Sequence, residues 1–413
     1  MDNGIRISVS KLQQTLLMLF VLAPFLFPTG LQYSSSFAFF FDVILYYWRI
    51  AACGTSLLLF FYRSFKKQIT LPTVLFFICI CSLFFSTIIQ HASISSFLSA
   101  WGGFFCFYVG AEIFLNKCPV LLCKVMKGWL EIIVIINLIT LVVFPGGIPM
   151  DRIVYVGPDS LYVWFWGFKN SICNLIIPYY AFSMTLNYLM QKKGRFPLLL
   201  PSVLSLVTAI LSHSTTLLVS VIAIIVLLLL KNLKVIRTHI NPRNMAVIGV
   251  CFSVLIVFFN IQNIFSWLIE GVLGKDLSLS NRTFLWGYAL QDISRSPFFG
   301  YGVQTSTTFG LTRYALAFSH CHNAILTLLY QGGLISLISY GVFFVYSIFK
   351  SESDSVLGYD YGLLLFIQLI IHISGSISGV GLFLILILIS NMNKLEMIRA
   401  NHNSLERVNE KSH

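Results

Sequence analysis

Residues 281–333 read NRTFLWGYALQDISRSPFFGYGVQTSTTFGLTRYALAFSHCHNAILTLLYQGG, and they form the only long stretch of the chain that is polar and charged. The stretch contains three arginines and two histidines, and its last third continues into an apolar segment. Almost all of the remaining sequence is hydrophobic. A concentration of guanidinium and imidazole groups in one stretch of such a chain predicts that the chemistry of the protein lies there.

The amino-acid composition indicates an integral membrane protein. Of 413 residues, 57% are hydrophobic and only 10% are charged, whereas a soluble protein carries about 25% charged residues. The formal net charge is +12, but the basic residues fall in short groups between apolar runs, which is the positive-inside pattern of membrane topology. The expected partner is therefore the lipid bilayer and not nucleic acid.

The apolar runs predict about twelve transmembrane helices in a single all-α membrane domain over residues 1–413, with both termini in the cytoplasm. Each run is about long enough to cross a hydrocarbon core of roughly 30 Å. Most of the 27 Lys and Arg residues fall in segments that this topology puts on the inner side. The expected spans are about 15–28, 36–61, 70–90, 94–115, 126–144, 171–190, 196–212, 214–230, 245–264, 322–349, 357–374 and 377–393.

Two segments between the spans are long enough to form substantial outer loops. The first, 145–170, contains an aromatic cluster at 162–166, for which two interpretations stay open: a belt at the membrane interface or a surface on which sugars stack. The second, 265–321, is expected to contain the active site, and its WGYALQDI sequence predicts a short amphipathic helix that ends before Pro297. Residues 394–413 are expected to form a solvated cytoplasmic tail.

Two histidines precede the tenth expected span. His322 and Asn323 open this span, and His320 lies two residues earlier. A histidine at the membrane surface can accept a proton from a hydroxyl near neutral pH, so His322 is the first candidate for a catalytic base. The alternative is structural: an interfacial histidine next to an asparagine that caps the helix.

Arginines on the outer side run against the positive-inside bias. Arg282, Arg295 and Arg313 all lie in the second outer loop. A guanidinium presents planar, permanently charged donors that suit a pyrophosphate. The alternative is pairing with acidic side chains of the same loop; we expect Arg295 either to pair in this way or to lie at the lipid headgroups. The acidic residues available there are Glu270, Asp276 and Asp292.

Motifs for several other chemistries are weak or missing in the sequence. There is neither an Asp-x-Asp motif nor a phosphate-binding loop of nucleotide-driven pumps, and His320 with His322 would need carboxylates from elsewhere to hold a metal. We therefore expect neither a metal nor a cofactor. His213 lies in a short outer turn that is near enough in principle to join the site. Arg49, inside the second expected span, is expected to pair with a carboxylate.

Taken in order, these motifs resemble those of the bacterial O-antigen polymerase and ligase superfamily. The matching elements are GFKN at 167–170, NRTFLW at 281–286, PFFGYG at 297–302, and HN at 322–323 ahead of GG at 332–333. The expected number of helices and the large outer loop before span ten resemble that family as well.

The resemblance implies glycosyl transfer at the outer face of the bacterial inner membrane, on a fold similar to that of GT-C membrane glycosyltransferases. The donor is a glycan on undecaprenyl pyrophosphate, and the transfer is independent of metal. By resemblance, His322 deprotonates or assists the acceptor hydroxyl, and Arg282 matches the family arginine that precedes a tryptophan. The other positions that the resemblance implies as substrate contacts are Lys169, Asn170, Trp286, His320 and Asn323.

The chain departs from the family pattern at one element. Many members carry Ser-Arg-Thr at the outer start of a middle span, where this chain has Ser212-His213-Ser214-Thr215-Thr216. A second cation for the pyrophosphate must then come from another position. The candidates are Arg152, Lys169, His213 and Arg313.

The resemblance leaves two activities open. A polymerase moves the growing glycan onto the next lipid-linked repeat unit, whereas a ligase moves the finished glycan onto lipid A–core. We expect a polymerase of O-antigen or capsule, acting with a chain-length regulator and a flippase, because this chain keeps only the loose motifs of a diverse group. A lipid-linked oligosaccharide flippase is the alternative from another class. It predicts charged residues that line a central cavity across several spans, whereas the polar residues here concentrate in the outer loops.

Overall fold

The computed structural model describes residues 2–152, 163–191, 196–259, 261–267, 271, 282–304, 320–350, 355–373, 375 and 379–411. Over these residues the chain is almost entirely helical, which confirms the predicted all-α class. The α-helices are α1 (Asp2–Leu22), α2 (Tyr46–Phe65), α3 (Leu71–Ile89), α4 (Ile94–Phe97), α5 (Gly103–Lys117), α6 (Pro119–Val143), α7 (Cys173–Leu189), α8 (Leu199–Leu211), α9 (Thr215–Leu230), α10 (Lys234–His239), α11 (Pro242–Phe259), α12 (Arg282–Arg295), α13 (Ala324–Phe349), α14 (Val356–Ile373), α15 (Gly381–Ser390) and α16 (Met392–Lys411).

Seven of the described helical segments are long and apolar enough to cross a membrane. They are α3, α6, α11, α13 and α14, together with Phe40–Phe65, which extends α2 by a π-helical segment, and Ile94–Lys117, which joins α4 to α5. An eighth span results if α15 and the first part of α16, which are bent by 58°, count as one. A multi-pass membrane protein is thus confirmed, whereas the predicted count of twelve spans is not.

Several predicted spans correspond to helices shorter than a full membrane crossing. α8 has 13 residues and α9 has 16, whereas a helix needs about 20 to cross the hydrocarbon core. A tight turn joins these two helices, and the Ser214 side chain begins α9 by accepting a hydrogen bond from the Leu217 amide. An apolar run shows that a segment avoids water, but it does not fix the length of the helix within that run.

The main hydrophobic core holds α13 against α3 and α15. The Phe76 ring of α3 stacks on Phe343 of α13 and on Phe383 of α15, with centroids 4.8 and 5.0 Å apart, and all three side chains are fully buried. Further along α3, the Ser82 hydroxyl donates to Ser336 Oγ of α13 at 2.9 Å. These contacts fix the position of α13, whose first turn follows His320 and His322.

The first predicted outer loop folds back onto the helices. Trp164 and Trp166 are only 1% and 9% exposed. The Trp164 indole donates to the Phe144 carbonyl and the Trp166 indole to the Ser171 carbonyl, each at 2.8 Å. Both tryptophans therefore pack within the protein, and neither the interfacial belt nor the sugar-stacking surface describes them.

Two charged residues within the spans are held by uncharged polar groups. The buried Glu112 carboxylate of α5 accepts hydrogen bonds from the hydroxyls of Thr70 and Thr73. In the described part of the chain no carboxylate pairs with Arg49, so the predicted ion pair is wrong there; Arg49 Nε donates to the Pro24 carbonyl at 3.1 Å. A main-chain carbonyl oxygen of the 3₁₀ segment after α1 takes the place of a carboxylate.

The C-terminal segment is a helix whose first turns pack against the body of the protein. The Lys394 ammonium donates to the Asn116 carbonyl and to Asn116 Oδ1 at 2.9 and 2.8 Å. Leu395, the next residue, is 1% exposed. The beginning of α16 is therefore anchored on α5 and is not the solvated end that its polar composition predicts.

Candidate active site

The second predicted outer loop contributes to a small hydrophobic cluster that is separate from the main core. The cluster joins α12 and the segment 320–323 to the facing parts of α11, α13 and α14. Its buried members are Ile256, Val257, Leu285, Trp286, Ala289, Ile293, Cys321, Leu326, Leu329, Tyr330 and Ile373.

α12 confirms the predicted amphipathic helix, which ends at Arg295, two residues before Pro297. Arg295 Nη1 lies 3.4 Å from Asp292 Oδ1, so pairing, one of the two alternatives expected for this arginine, is confirmed. The buried positions recur at the spacing of one helical face. They are Leu285, Trp286, Ala289, Asp292 and Ile293.

Trp286 connects α12 to the histidine segment. Its side chain is 1% exposed, and its indole N–H donates to the carbonyl of Cys321 at 3.1 Å. Cys321 is itself fully buried. The tryptophan that the family resemblance assigns to substrate contact is therefore enclosed in protein in this structure, where it positions the residue between the two histidines.

Asn323 fixes the other side of His322. Its Oδ1 accepts a hydrogen bond from the Leu326 amide at 3.0 Å and so caps α13. Its Nδ2 donates to Ser253 Oγ of α11 at 3.4 Å and to the Ile373 carbonyl of α14 at 3.2 Å. Asn323 is fully buried, so its side chain ties three helices together, as the structural alternative for this residue predicts.

His322 adopts a left-handed backbone conformation, with φ of 48°. Among the described residues, four other non-glycine residues have positive φ, and each follows the C-cap of a helix, where this conformation is common. His322 differs because it precedes a helix. A non-glycine residue in this region costs about 1–3 kcal/mol, and the fixed neighbours on both sides hold it there. The four other residues are Lys67, His91, Gln191 and His213.

The two histidines form a stacked pair next to Arg282. The ring centroids of His320 and His322 are 4.0 Å apart, and the rings are inclined by 28°. Burial, and after it the positive charge of Arg282, lowers the pKa of His320 to about 4. Burial, His320 and Arg282, in that order, lower the pKa of His322 to about 2. Both imidazoles are therefore neutral at pH 7, and each retains a nitrogen that can accept a proton.

The PFFGYG sequence at 297–302 inserts into a break in α13. The break lies at Gly333, with φ of 64° and ψ of −165°. Before the break, the carbonyls of Tyr330 and Gln331 accept hydrogen bonds from the amides of residues 301 and 302, at 2.7 and 2.8 Å. After the break, the amides of residues 334 and 335 donate to the carbonyls of residues 297 and 298, at 2.8 and 3.3 Å. The turn thus replaces the hydrogen bonds that the helix loses.

Two residues of other helices complete this junction and were not predicted from the sequence. The Ser86 hydroxyl of α3 contacts the carbonyls of Phe299 and Gln331, the latter at 2.7 Å. The Gln331 side chain accepts a hydrogen bond from the Trp101 indole at 3.0 Å. Ser86 and Trp101 lie far from the junction in sequence, and nothing in their local sequence distinguishes them.

A second group of predicted residues meets at the starts of α7 and α9. Asn170 Oδ1 accepts a hydrogen bond from Ser214 Oγ at 3.0 Å. Asn170 and His213 are exposed, and Lys169 is half-buried. The GFKN element and the turn that replaces the family's Ser-Arg-Thr are therefore in contact, as expected if both serve one site.

The two remaining candidate cations for the pyrophosphate are Arg152 and Arg313. The Arg152 guanidinium pairs with Asp42, with Nη2 and Oδ2 2.8 Å apart, and also donates to the Gln32 carbonyl at 3.2 Å. These contacts connect the first predicted outer loop to the 3₁₀ turn Gly30–Tyr33 and to the π-helical segment that extends α2. Arg313 falls outside the described residues. A substrate-binding role for either arginine stays a prediction.

Within the described residues, no group of three or more His, Cys, Asp or Glu side chains is arranged to hold a metal ion. The groups brought together at the start of α13 are instead two neutral imidazoles and a guanidinium. A base and a permanent cation suit the transfer of a proton and the neutralisation of an anion, respectively.

The fold and the site together define a multi-pass, all-α membrane protein with a base and a cation at the start of one span. Residues 200–341, from α8 to the middle of α13, match the Wzy_C family model, which is described as O-Antigen ligase. This segment is about a third of the chain, and the match confirms the resemblance to the O-antigen polymerase and ligase superfamily. Proteins of that superfamily are membrane enzymes of the glycosyltransferase kind that act on lipid-linked glycans. No curated protein and no solved structure is significantly similar to the chain.

Proposed function

We propose that this protein is a polymerase of surface polysaccharide repeat units in the bacterial inner membrane. It transfers the growing O-antigen or capsule glycan from undecaprenyl pyrophosphate to a hydroxyl group of the next lipid-linked unit, at the outer face of the membrane. The observation that carries the proposal is the neutral histidine pair beside Arg282 at the start of α13.

In the proposed reaction, the acceptor hydroxyl oxygen forms a bond to the anomeric carbon of the donor sugar while the bond from that carbon to the pyrophosphate breaks. The hydroxyl proton passes to His322, and the electron pair of the broken bond leaves with undecaprenyl pyrophosphate. Arg282 neutralises the negative charge that develops on this leaving group. Every atom and proton is then accounted for without a nucleotide or a redox partner.

The electrostatics of the pair suggest how His322 becomes a stronger base when the donor binds. In the free protein, the positive charge of Arg282 is one of the causes that lower the pKa of both histidines. A pyrophosphate bound to Arg282 brings negative charge next to the imidazoles, and negative charge raises the pKa of a histidine. The base is therefore weak without the donor and stronger with it, which limits unproductive proton uptake by the free enzyme.

The rival activity within the superfamily is ligation of a finished glycan to lipid A–core. The matching family is described as O-Antigen ligase, but the match supports polymerase and ligase equally. The same base and cation would serve a ligase because the acceptor is again a hydroxyl group. The two activities differ in the acceptor and in the product that accumulates without the enzyme.

Comparison of glycans in cells with and without the gene tests the proposal. Single repeat units on the surface, without a ladder of longer chains, indicate a polymerase. Long chains retained on the undecaprenyl carrier indicate a ligase. Single units trapped on the cytoplasmic face indicate a flippase and refute both transfer reactions.

The His322→Ala variant tests the residue that carries the proposal. We expect normal membrane insertion and loss of polymer, because no other group in the proposed reaction takes the hydroxyl proton. His239→Ala is the matched control, since this exposed histidine at the end of α10 lies outside the site. An unchanged ladder of chain lengths in the His322→Ala strain would refute the catalytic role.

A further inference from the structure

Arg49 is a charged residue inside a span, and in the described part of the chain no carboxylate balances its charge. Its Nε donates to the Pro24 carbonyl at 3.1 Å, and its two terminal nitrogens, Nη1 and Nη2, make no hydrogen bond to any described residue. The side chain is half-buried. A carbonyl oxygen satisfies one donor but leaves the positive charge unbalanced, and a charge in the hydrocarbon layer is costly unless it is paired.

The position of Arg49 along its span brings the guanidinium close to one face of the membrane. The span Phe40–Phe65 has 26 residues. At a rise of about 1.5 Å per residue, Arg49 lies about 14 Å from the first residue of the span and about 24 Å from the last. Helical side chains point back towards the N-terminus, and a long arginine side chain extends its charge to the nearer interface. The guanidinium is therefore directed to the end of the span that begins at Phe40.

This end of the span lies on the same side of the membrane as the candidate active site. A short turn at 66–70 joins α2 to α3, and consecutive spans cross the membrane in opposite directions. The end of α3 is therefore level with the beginning of Phe40–Phe65. Near the end of α3, the Ser86 hydroxyl donates to the Gln331 carbonyl in the first half of α13 at 2.7 Å. Arg49 thus faces the leaflet that adjoins the histidine pair.

The acidic side chains at this end of the protein are engaged by other groups. Asp42 is the only acidic residue of the span, and it pairs with Arg152 at 2.8 Å. The Asp151 carboxylate accepts hydrogen bonds from the amide and the hydroxyl of Ser35. An anion that balances Arg49 must then come from the surroundings of the protein.

The surroundings of Arg49 are membrane lipid. On the same helix, Ile50, Leu57 and Phe61 are between 37% and 52% exposed, and Tyr46, one turn nearer to the interface, is 54% exposed. An apolar face with an aromatic ring at its interfacial end is typical of contact with lipid acyl chains below a headgroup. The lipid phosphate is the anion present at this level, and the paired donors of a guanidinium suit it.

Arg49 is separate from the site that contains Arg282. α2 packs on α1, α5 and the adjoining 3₁₀ and π-helical segments, whereas the small cluster around the histidines is built from α11–α14 and 320–323. An anion at Arg49 is therefore not the pyrophosphate that the proposed reaction places at Arg282.

We infer that Arg49 binds the phosphate group of an anionic phospholipid, represented by phosphatidylglycerol, in the leaflet that adjoins the candidate active site. Nη1 and Nη2 donate to two phosphate oxygens, and the acyl chains lie along the exposed apolar face of α2. The ammonium group of a zwitterionic headgroup gains no partner at Asp42, because that carboxylate is already paired with Arg152. The inference does not depend on the transfer reaction.

Native mass spectrometry of the purified full-length protein, titrated with phosphatidylglycerol, tests the inference. We expect Arg49→Gln to weaken binding of the first lipid about tenfold, which corresponds to about 1.4 kcal/mol. Arg49→Lys keeps the charge but loses the paired donors, so we expect a smaller loss. Arg63→Gln is the matched control because it removes the same charge from the last turn of the same helix, and we expect it to leave this binding unchanged.

A measurement on the unmodified protein keeps the inference testable if the Arg49 variants do not fold. Phosphatidylglycerol with a photoreactive diazirine close to its headgroup should label peptides of residues 40–53. Labelling confined to other spans would overturn the inference, as would equal lipid affinity of Arg49→Gln and the unmodified protein, or an equal loss in Arg63→Gln.

Competition experiments separate the possible sources of the phosphate. We expect excess phosphatidylglycerol to displace the labelled lipid, and phosphatidylethanolamine, inorganic phosphate and undecaprenyl phosphate to displace it at least tenfold less readily. Equal displacement by phosphatidylethanolamine would remove the preference for an anionic lipid, and equal displacement by inorganic phosphate would indicate a site for free anions. Equal displacement by undecaprenyl phosphate would assign Arg49 to the glycan carrier. Each of these three results would overturn the inference, and none of the measurements requires turnover.

Discussion

Replacing Gly333 by alanine tests the junction between the PFFGYG turn and the broken helix α13. The glycine has φ of 64° and ψ of −165°, a region of backbone conformation that is essentially restricted to glycine. An added Cβ would lie 2.2 Å from the Phe298 carbonyl oxygen and 2.6 Å from the Phe299 nitrogen. These neighbours are backbone atoms, so they cannot move aside by a change of rotamer.

The expected loss of stability follows from two sources. A side chain in this backbone region costs about 1–3 kcal/mol. Movement of the turn away from the new methyl group would also break the bonds from the amides of Leu334 and Ile335 to the turn, each worth about 0.5–1.5 kcal/mol. The sum is about 2–6 kcal/mol, which is a large fraction of the stability of a typical domain.

Thermal unfolding of the detergent-solubilised protein measures this loss, and a glycan transfer assay measures its effect on the site. The control is Gly128→Ala in the interior of α6, where an added Cβ has no neighbour within 4 Å. We expect the control to keep or slightly raise the midpoint temperature of unfolding, since alanine is favoured over glycine in a helix by about 1 kcal/mol. We expect Gly333→Ala to lower both this midpoint and the rate of transfer. Equal midpoints and equal rates for the two variants would refute the structural role of the break.

Two further predictions concern the residues around the histidine pair. Replacing Arg282 by glutamine removes a positive charge that lowers the pKa of His320 and His322, so the acid limb of the kcat/KM profile should move to higher pH. The midpoint of this limb should stay below about pH 6.5, because burial, the larger cause of the lowered pKa, remains. A pH profile that does not move would contradict this electrostatic coupling. Replacing Trp286 by phenylalanine keeps a buried aromatic ring but leaves the Cys321 carbonyl without its indole donor, which costs about 1–3 kcal/mol. We expect a lower kcat at unchanged KM. The control is the same replacement at the exposed Trp267.

The local features of the site could be predicted from the sequence because each depends on a few adjacent residues. The spacing of apolar residues in 282–295 predicts the helix that the structure contains. Asn323 is a favourable N-cap before an apolar run, and the structure confirms that it begins α13. Pairing of Arg295 with an acidic residue three positions earlier is likewise a local property of a helix.

The contacts between distant segments could not be predicted in this way. Trp286 was identified as a functional position, but its orientation towards Cys321 depends on the folded position of a segment 35 residues further along the chain. Arg152 suits a phosphate by its chemistry alone, yet it pairs with Asp42, 110 residues away. The Gly332-Gly333 pair is visible in the sequence, but the turn that fills the break in the helix is not.

The break in α13 explains how one helix can serve two separate hydrophobic clusters. Before the break, Leu326, Leu329 and Tyr330 belong to the small cluster around the histidines, whereas Leu328 belongs to the main core. After it, Phe343 and Ile348 belong to the main core. A continuous helix would transmit a change in the main core directly to its first turn. Here the two halves are joined at the non-helical Gly333 and through backbone hydrogen bonds to the PFFGYG turn, and Phe343 in the second half stacks on Phe76 of α3. Substitutions in the small cluster should therefore change transfer more than the unfolding midpoint, and substitutions at Phe343 should do the opposite.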